Sequence, residues 1–413
     1  MKKNLTLACT ISIILLLVLS TQVNVIASYK QPKENTSNSI DDILFDLKIH
    51  TYMKITNMPS LTVCIIKNNS IIWKDSYGYS NYYLRKKSQM NSIYIIGSIS
   101  KTFIATAIMQ IYENKSYNFS LDDDISLYLP YDLKNPYHPD VNITFRMLLD
   151  HQSSIDDGFF DFPSYLPLSD DPTSFIKERL IPGEKHYKKE YWKETMPGEK
   201  FGYSNWGYIL LAALLEQITG ETFESYCQKN IFQPLNMKDT SFEIEKLDRK
   251  RLARPYYPLI GSLYIPMPNY DIRCAAACGG LRATALDLSN YLMAHMNNGT
   301  FNNYSMLNKS TIEIMHTIQN PEFSEKFYIG SMQHGLGWIH LTYKESVWEG
   351  YNGGAIGYCC HMMFRQSDHI GIIMMINSHF KRSNSKLVEM KLDMQYTLAN
   401  IFIQKALEDG LNN

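Results

Sequence analysis

The stretch that decides the fold is Gly97-Ser98-Ile99-Ser100-Lys101-Thr102-Phe103. After it, apolar residues recur at the spacing of one helical face, at Phe103, Ile104, Ala107, Ile108 and Ile111. We therefore predict a helix that begins just after Gly97. At the start of that helix Ser98 and Lys101 are three residues apart, so the hydroxyl and the amine lie on one face, one turn apart.

This Ser-x-x-Lys pair has the chemistry of an activated nucleophile. A serine at neutral pH attacks carbonyl groups poorly and needs an adjacent base, and a lysine can serve when burial disfavours its charged form. The helix N-terminus adds amide donors and a partial positive charge near the developing oxyanion. The spacing alone also fits a helix cap beside a surface lysine, and Ser383 and Lys386 share it.

Further motifs follow this stretch in a fixed order. They are Leu148-Leu149-Asp150-His151-Gln152-Ser153-Ser154, Pro197-Gly198, Phe201-Gly202-Tyr203-Ser204-Asn205, Pro234-Leu235-Asn236-Met237, Gly279-Gly280-Leu281 with Asp287, and Gly335-Leu336-Gly337-Trp338. Together with residues 97–103 they resemble the class C β-lactamase and penicillin-binding-protein family, from about residue 45 to about residue 400. Ser154 departs from the pattern, because the family usually has glycine there.

The resemblance implies roles for individual residues. Ser98 would be the nucleophile and Lys101 its catalytic neighbour, while Tyr203 would face Ser98 as partner base. A phenol near an ammonium can approach phenolate, take the serine proton and return it to the leaving group. Asn205 would bind the amide group of a substrate. His151 lies in a segment that is structural in the family, so we expect a scaffold role for it.

The third family motif is where this chain departs most. A strand ending in Lys-Thr-Gly or His-Thr-Gly normally borders the site, and here the aligned residues are Tyr351, Asn352, Gly353 and Gly354. The two glycines allow close backbone approach, and the Gly354 amide, with that of Ser98, is a candidate oxyanion hole. Tyr351 would offer a substrate carboxylate one neutral hydrogen bond, whereas the lysine of the family offers a charged one. We therefore expect carboxylate-bearing substrates to bind less well.

The strand pattern places a sheet at both ends of the chain. Leu61–Lys67, a turn at Asn68-Asn69 and a run from Ile71 predict a hairpin, and a last helix covers about Lys386–Leu407. Further strands are predicted at Trp338–Tyr343, Val347–Tyr351, Tyr358–Phe364 and Ile370–Asn377, with a break at Asn352-Gly353-Gly354.

The middle of the chain is rich in predicted helices, and the clearest runs from Trp206 to Thr219 and ends at Gly220. The expected fold class is α/β (α+β), β-lactamase/transpeptidase-like, with an antiparallel sheet flanked by helices and an inserted α-helical lobe. We place the sheet lobe at about 41–118 and 325–413, and the helical lobe at about 119–324.

The N-terminus has the order of a signal peptide. Lys2 and Lys3 precede an apolar run, Ile11–Leu19, and a small residue, Ala27, closes the segment. We predict a signal peptide at 1–27, a flexible tether at 28–40 and the hydrolase domain at 41–413. The protein would then be secreted or extracytoplasmic, with membrane attachment only if the segment stays uncleaved.

Composition excludes other classes of function. Forty basic and forty-one acidic residues give a net charge of −1, so nothing draws the chain as a whole to nucleic acid. The sequence contains no zinc-type His or Cys motif and no phosphate-cradling loop, so we expect no metal and no cofactor. Beyond Cys9, six cysteines remain, and their pairing stays open, as does the oligomeric state.

These observations favour a serine hydrolase that forms an acyl-enzyme on Ser98 and acts on an ester, or on a small or D-configured amide or peptide. A true β-lactamase or D,D-carboxypeptidase is the alternative within the same class. An alternative of another class is a catalytically silent binding or sensor domain that keeps the fold. The sequence does not choose the physiological substrate.

Overall fold

The computed structural model describes residues 40–157, 169–259, 263–327, 330–343, 345–379 and 386–411. The predicted signal peptide and residues 28–39 of the predicted tether lie outside them, as does Ser383. The chain divides into two units, Met1–Lys48 and Ile49–Asn413. The boundary lies within the first described helix, α1 (Ile40–Thr56).

The described strands and helices include those that the sequence pattern predicts, together with several shorter ones. The strands are β1 (Ser60–Lys67), β2 (Ser70–Asn81), β3 (Lys86–Lys87), β4 (Tyr94–Ile95), β5 (Tyr256–Pro258), β6 (Tyr264–Pro266), β7 (Arg282–Ala283), β8 (Thr300–Phe301), β9 (Tyr304–Ser305), β10 (Glu325–Phe327), β11 (Gly330–His334), β12 (Ile339–Tyr343), β13 (Ser346–Ala355), β14 (Tyr358–Arg365) and β15 (Ile370–Ile376). The remaining helices are α2 (Ser100–Glu113), α3 (Phe145–Leu149), α4 (Pro172–Leu180), α5 (Asn205–Thr219), α6 (Phe223–Cys227), α7 (Ala276–Gly279), α8 (Ala285–Met296), α9 (Lys309–His316) and α10 (Lys386–Leu411).

The main sheet joins the two ends of the chain. Among the described residues it has nine strands in the order β10-β11-β12-β13-β14-β15-β1-β2-β3, with antiparallel pairing throughout. Strands β1, β14 and β15 are buried along almost their whole length, which explains their continuous apolar sequence. The predicted β1–β2 hairpin is confirmed, and Asn68 and Asn69 take φ values of 48° and 60° in its turn.

One predicted break in the sheet is wrong. We expected a strand to end at Tyr351 and a turn at residues 352–354, but β13 continues to Ala355 and the turn holds Gly357, with a φ of 77°. The physical reason is close approach: a Cβ on Gly353 would lie 1.8 Å from the carbonyl oxygen of Ile96. These glycines therefore bring the strand against the segment before Ser98, and they do not reverse the chain.

The helices between the two parts of the sheet position the site. The predicted helix after Gly97 is confirmed as a short 3-10 turn, Gly97–Ile99, followed by α2. The predicted central helix is confirmed as α5, which the Ser204 side chain caps and which Gly220 ends with a φ of 71°. Helices α2, α5 and α7 pack against one another, and β13 packs against the 3-10 turn.

Two further features bear on the expectations from the sequence. Six cysteines, at 64, 227, 274, 278, 359 and 360, are buried, and no disulfide joins them within the part of the chain that is described. None of the described helices combines the length and the apolar character needed to cross a bilayer.

Candidate active site

Ser98 lies in the 3-10 turn that leads into α2, and its side chain is half-buried. Gly97, before it, has a φ of 57°, a left-handed conformation that favours glycine. Two side chains support the turn: Ser100 Oγ donates to the Gly97 carbonyl oxygen at 2.7 Å, and Thr102 Oγ1 donates to that of Ile99 at 2.8 Å. The turn therefore presents Ser98 on a locally braced backbone.

Two of the predicted residues meet at the Ser98 hydroxyl. Tyr203 Oη lies 2.7 Å from Ser98 Oγ, although the two residues are 105 positions apart in the chain. Lys101 Nζ donates to Ser98 Oγ at 3.3 Å. Tyr203 reaches this position because it lies two residues before α5, whose N-terminus faces α2.

Lys101 is fully buried and has a complete set of acceptors. Its Nζ donates to Asn205 Oδ1 at 2.6 Å and to the carbonyl oxygen of Cys278 at 2.5 Å, in addition to Ser98. Three acceptors match the three N–H bonds of an ammonium group. The Lys101 Nζ also lies 5.0 Å from the ring centroid of Tyr203, within the range of a cation–π contact.

Asn205 is held in place by a carboxylate that the sequence did not single out. Asp157 Oδ1 accepts from the backbone N–H of Asn205 at 2.5 Å, and Asp157 Oδ2 accepts from the side-chain Nδ2 of Asn205 at 2.6 Å. Burial raises the pKa of Asp157 to about 6, against the hydrogen bonds from Asn205 and the charge of Lys101. One Nδ2 proton of Asn205 goes to Asp157, which leaves the second for a substrate.

Strand β13 forms the opposite wall. A Cβ on Gly97 would lie 2.7 Å from the Gly354 nitrogen, so the strand and the turn approach backbone to backbone. A Cβ on Gly354 would lie 3.2 Å from Cε1 of His379, which places that imidazole beside the candidate oxyanion hole. Asn352 lies on the other face of the sheet, where it donates to Tyr396 Oη at 2.8 Å.

Tyr351 and His151 lie together behind Tyr203. Tyr351 is only 4% exposed, and its Oη lies 3.3 Å from His151 Nε2. Ser204 donates its backbone N–H to His151 Nδ1 at 3.1 Å. The rings of His151 and Tyr203 have centroids 4.5 Å apart. Burial, with smaller electrostatic effects from the neighbouring His334 and Lys101, holds the pKa of His151 well below its usual range, which favours the neutral ring.

Comparison with known proteins shows the family to which the chain belongs. A sequence model of the family described as Beta-lactamase matches residues 45–389, which is most of the chain. The chain belongs to the β-lactamase family. Its fold is accordingly the β-lactamase/transpeptidase-like fold, with the large antiparallel sheet and the helices described above.

Individual relatives and structural neighbours share less than a third of their aligned residues with this chain. Protein flp of Staphylococcus aureus (strain MRSA252) is 23% identical over 328 residues, which cover 78% of this chain and 60% of that protein. The chain thus spans about 60% of the length of this curated relative. An octameric penicillin-binding protein homologue from Pyrococcus abyssi is 29% identical with a TM-score of 0.68, covering 82% of this chain and 74% of that one.

A further neighbour shares the fold at lower identity. D-amino acid amidase from Ochrobactrum anthropi SV3, complexed with L-phenylalanine amide, has a TM-score of 0.69 and 19% identity, covering 89% of this chain and 99% of that one. At such identity the likeness concerns the fold alone.

The structure brings all seven residues predicted for the site into one region, around Ser98. Lys101, Tyr203 and Asn205 contact one another or Ser98 directly, and Gly353 and Gly354 lie against the turn that carries it. Tyr351 is buried, and its Oη lies 3.3 Å from His151 Nε2. Asp157 and the Cys278 carbonyl were missed, because a lone acidic residue in a loop and a backbone oxygen carry no motif.

Proposed function

We propose that this member of the β-lactamase family is a serine hydrolase that forms an acyl-enzyme on Ser98 and acts on esters or on small or D-configured amides. The observation that carries the proposal is the pair of contacts at Ser98 Oγ, with Tyr203 Oη at 2.7 Å and Lys101 Nζ at 3.3 Å. A nucleophile within hydrogen-bond reach of a base, with the base held by a third group, is the geometry that covalent catalysis requires.

In the proposed reaction Tyr203 accepts and returns one proton in each of two steps. Ser98 Oγ attacks the substrate carbonyl carbon and gives its proton to the Tyr203 phenolate, and Tyr203 then returns that proton to the leaving oxygen or nitrogen as the scissile bond breaks. In the second half a water gives a proton to Tyr203 and its oxygen attacks the acyl ester. The proton returns to Ser98 Oγ as the acid product leaves.

Lys101 acts in this proposal as a fixed positive charge. Its three acceptors use all the protons of an ammonium, so it stabilises the phenolate of Tyr203 and does not itself take the proton of Ser98. The backbone amides of Ser98 and Gly354 are the proposed donors to the oxyanion. The close approach of β13 to Gly97 supports that pairing.

A second candidate function is β-lactam hydrolysis or D,D-carboxypeptidase activity, which family membership favours. Both substrate types carry a carboxylate, and the position where the family has a lysine or histidine is here the buried, neutral Tyr351. Substrates without a free carboxylate therefore fit the described residues better.

The test is a substrate panel combined with labelling of the purified protein. We expect turnover of nitrophenyl esters and D-aminoacyl amides, and a fluorophosphonate probe should label the parent protein. Ser98→Ala should lose both turnover and labelling while the protein stays folded, because only the attacking oxygen is removed. Intact-mass spectrometry of the acylated protein measures the adduct.

Ser383→Ala is the matched control, since Ser383 has the same spacing to Lys386 that Ser98 has to Lys101. It should keep full turnover and labelling. An acyl adduct on the Ser98→Ala variant would refute the nucleophile. An unlabelled, inactive parent protein would favour a silent binding domain, and strong preference for a cephalosporin or a D-Ala-D-Ala peptide would favour the second candidate.

A further inference from the structure

Strand β13 is paired on one side only where it borders the proposed oxyanion hole. Its pairing with β12 ends at Gly350, whereas its pairing with β14 continues through Asn352 and Gly354 to Ala355. Within the described residues, the end of β13 therefore has a single neighbouring strand. Glycines weaken such a segment further, since they have no side chains to pack. The position of the Gly354 amide thus depends on contacts besides the strand pairing.

Asn352 supplies such contacts on the face of the sheet that carries α10. Its Nδ2 donates to Tyr396 Oη at 2.8 Å, and its Oδ1 lies 2.8 Å from His361 Nδ1. His361 lies directly opposite Asn352 on β14, and its Nε2 lies 3.0 Å from Oε1 of Gln395. Gln395 and Tyr396 belong to α10. Asn352 therefore connects β13 to α10 directly, and a second time through His361.

The proton positions follow from the side-chain amide of Asn352. Its Nδ2 donates to Tyr396, so the atom that faces His361 is Oδ1, which can only accept. His361 Nδ1 therefore carries a proton. Burial lowers the pKa of His361 to about 4, against the opposite effect of Gln395, so the ring has no second proton at neutral pH. Nε2 is then an acceptor for the NH2 end of Gln395, since the two ends of an amide have nearly the same size.

Burial makes these contacts restrictive. His361 is 5% exposed and Gln395 is 6% exposed. A buried polar group that loses its partner pays the cost of an unpaired donor or acceptor, so one hydrogen-bonded arrangement is strongly preferred. The side chain of Asn352 is therefore fixed. Because Asn352 lies two residues before Gly354 on the same face of β13, this fixed side chain restricts the backbone that carries the Gly354 amide.

We propose that His361 and Gln395 are positioning residues that fix Asn352, and through it hold the Gly354 amide where an oxyanion formed at Ser98 can accept from it. The inference rests on the proposed hydrolase function, in which that amide is one of two oxyanion donors. None of the three side chains contacts substrate in this proposal. Helix α10 thereby contributes to the site from the opposite face of the sheet.

The test uses the preference for oxygen over sulfur at the reacting carbonyl. A nitrophenyl ester and its thionoester, in which C=S replaces C=O, differ in the atom that the amides of Ser98 and Gly354 would bind. Sulfur accepts hydrogen bonds weakly, so well-placed donors favour the oxygen ester. The ratio of the two kcat/KM values therefore reports on the donors. A loss of folded protein lowers both constants equally and leaves the ratio unchanged.

The primary variants replace His361 by residues that each keep one of its two contacts. His361→Asn keeps a donor near the Nδ1 position and still reaches Asn352, whereas His361→Gln has its amide near the Nε2 position and reaches Gln395. We expect His361→Gln to lower kcat/KM for the oxygen ester, and the ratio, by about tenfold to a hundredfold. His361→Asn should stay within about fivefold of the parent in both, because it keeps the contact with Asn352.

Two further variants interrupt the same connection at other points. Asn352→Ala removes the amide and should match His361→Gln, and the double variant should be no worse than either single one, because both changes break one contact. Gln395→Leu leaves the contact between Asn352 and His361 in place. Its effect on the ratio should therefore be as small as that of His361→Asn.

Tyr343→Phe is the matched control. Tyr343 Oη donates to Asp393 Oδ1 at 2.8 Å, so it also joins the sheet to α10, but it lies on β12, which does not carry Gly354. This variant should keep the parent ratio, whatever its stability. Thermal unfolding of each variant, followed by circular dichroism, verifies that it is folded.

The outcomes separate this inference from the function on which it rests. A parent protein that neither labels at Ser98 nor hydrolyses either ester overturns the proposed function. A parent that labels and prefers the oxygen ester, with His361→Gln and Asn352→Ala both showing the parent ratio, overturns the positioning role alone. If Tyr343→Phe lowered the ratio as much as His361→Gln does, attachment of α10 in general would place the Gly354 amide, and the inference would be wrong.

Discussion

Lys101 contacts several different groups at the centre of the site. Its three hydrogen bonds join Ser98, the proposed nucleophile, the side-chain amide of Asn205 and the backbone of α7. A buried ammonium without acceptors would be strongly destabilising, so these contacts explain how the charge is tolerated. The same contacts place that charge beside the ring of Tyr203.

At the residue scale we predict a non-additive pair. Lys101→Ala and Tyr203→Phe should each lower kcat/KM for a nitrophenyl ester by about 100-fold to 10,000-fold, because one removes the charge and the other the base. The double variant should lose far less than the product of the two single losses, since the charge of Lys101 is proposed to act through the phenolate of Tyr203 and has nothing to stabilise once that phenol is gone. Steady-state kinetics of the four proteins measure the coupling.

The control for this pair is Lys115→Ala. Lys115 is exposed, follows the end of α2 and lies near Tyr112, so it resembles Lys101 in its aromatic contact but not in burial. We expect its kinetics to match those of the parent. If the losses in the double variant were fully multiplicative, Lys101 and Tyr203 would not act together in the transfer of the Ser98 proton.

At the scale of elements, the site depends on how closely β13 approaches the turn at Gly97–Ile99. Gly353 has no room for a side chain, because a Cβ there would lie 1.8 Å from the Ile96 oxygen. The neighbouring Gly354 supplies the amide proposed for the oxyanion hole. The distance between β13 and the turn at Gly97–Ile99 therefore determines both how the two elements pack and where the proposed oxyanion donors lie.

We predict that Gly353→Ala separates β13 from the turn. The clash with a backbone oxygen should lower the free energy of unfolding by about 1 to 3 kcal/mol, or more, and reduce kcat by at least about tenfold as the Gly354 amide moves. Urea unfolding and ester kinetics measure the two effects.

Gly207→Ala is the control, since its Cβ would make only ordinary contacts, 3.6 Å from Leu148 Cδ2, within α5. It should be neutral or stabilising by up to about 1 kcal/mol, because alanine favours the helix. Equal effects of the two substitutions would show that the narrow spacing at Gly353 has no special importance.

At the scale of the whole molecule, buried titratable groups set how stability depends on pH. Asp150 is 3% exposed, and burial raises its pKa to about 7, against the charge of Arg146. The folded protein therefore binds this proton more tightly than the unfolded chain does. The associated stability is fully present below about pH 4 and is lost as pH rises through about 7.

Buried histidines act in the opposite sense. Burial lowers the pKa of His361 to about 4, so its contribution is present above about pH 6.5 and is lost as the pH falls toward 4. Between about pH 4 and pH 7 the contributions of the two kinds of group to the pH dependence of stability have opposite signs and partly cancel. A difference between parent and variant isolates one of them.

We predict that Asp150→Asn stabilises the protein increasingly as pH rises. The difference in free energy of unfolding between variant and parent should grow between about pH 4 and pH 8, to a value on the order of 2 to 4 kcal/mol. Denaturant unfolding at several pH values measures it. The exposed Asp140→Asn is the control and should show no such trend. A constant difference for Asp150→Asn would refute the raised pKa.

The sequence predicted the parts of the molecule that depend on local order along the chain. The period of apolar residues after Gly97, the Asn68-Asn69 turn and the cap at Gly220 each depend on neighbours a few positions away. The order of the motifs predicted Ser98 and Tyr203 as site residues, and the structure places their hydroxyl oxygens 2.7 Å apart. The signal peptide at 1–27 is read in the same way and stays a prediction.

The tertiary structure alone decided which distant groups meet. Asp157 contacts Asn205 across 48 positions, and His151 contacts Tyr351 across 200, through packing that no short pattern encodes. The Cys278 carbonyl, which binds Lys101, is a backbone atom that any residue could supply. The glycines of β13 resemble a turn in sequence, and only the position of Ile96 shows that they serve close approach. Local spacing thus predicted which groups are candidates for the chemistry, whereas long-range packing decided which residues hold them in place.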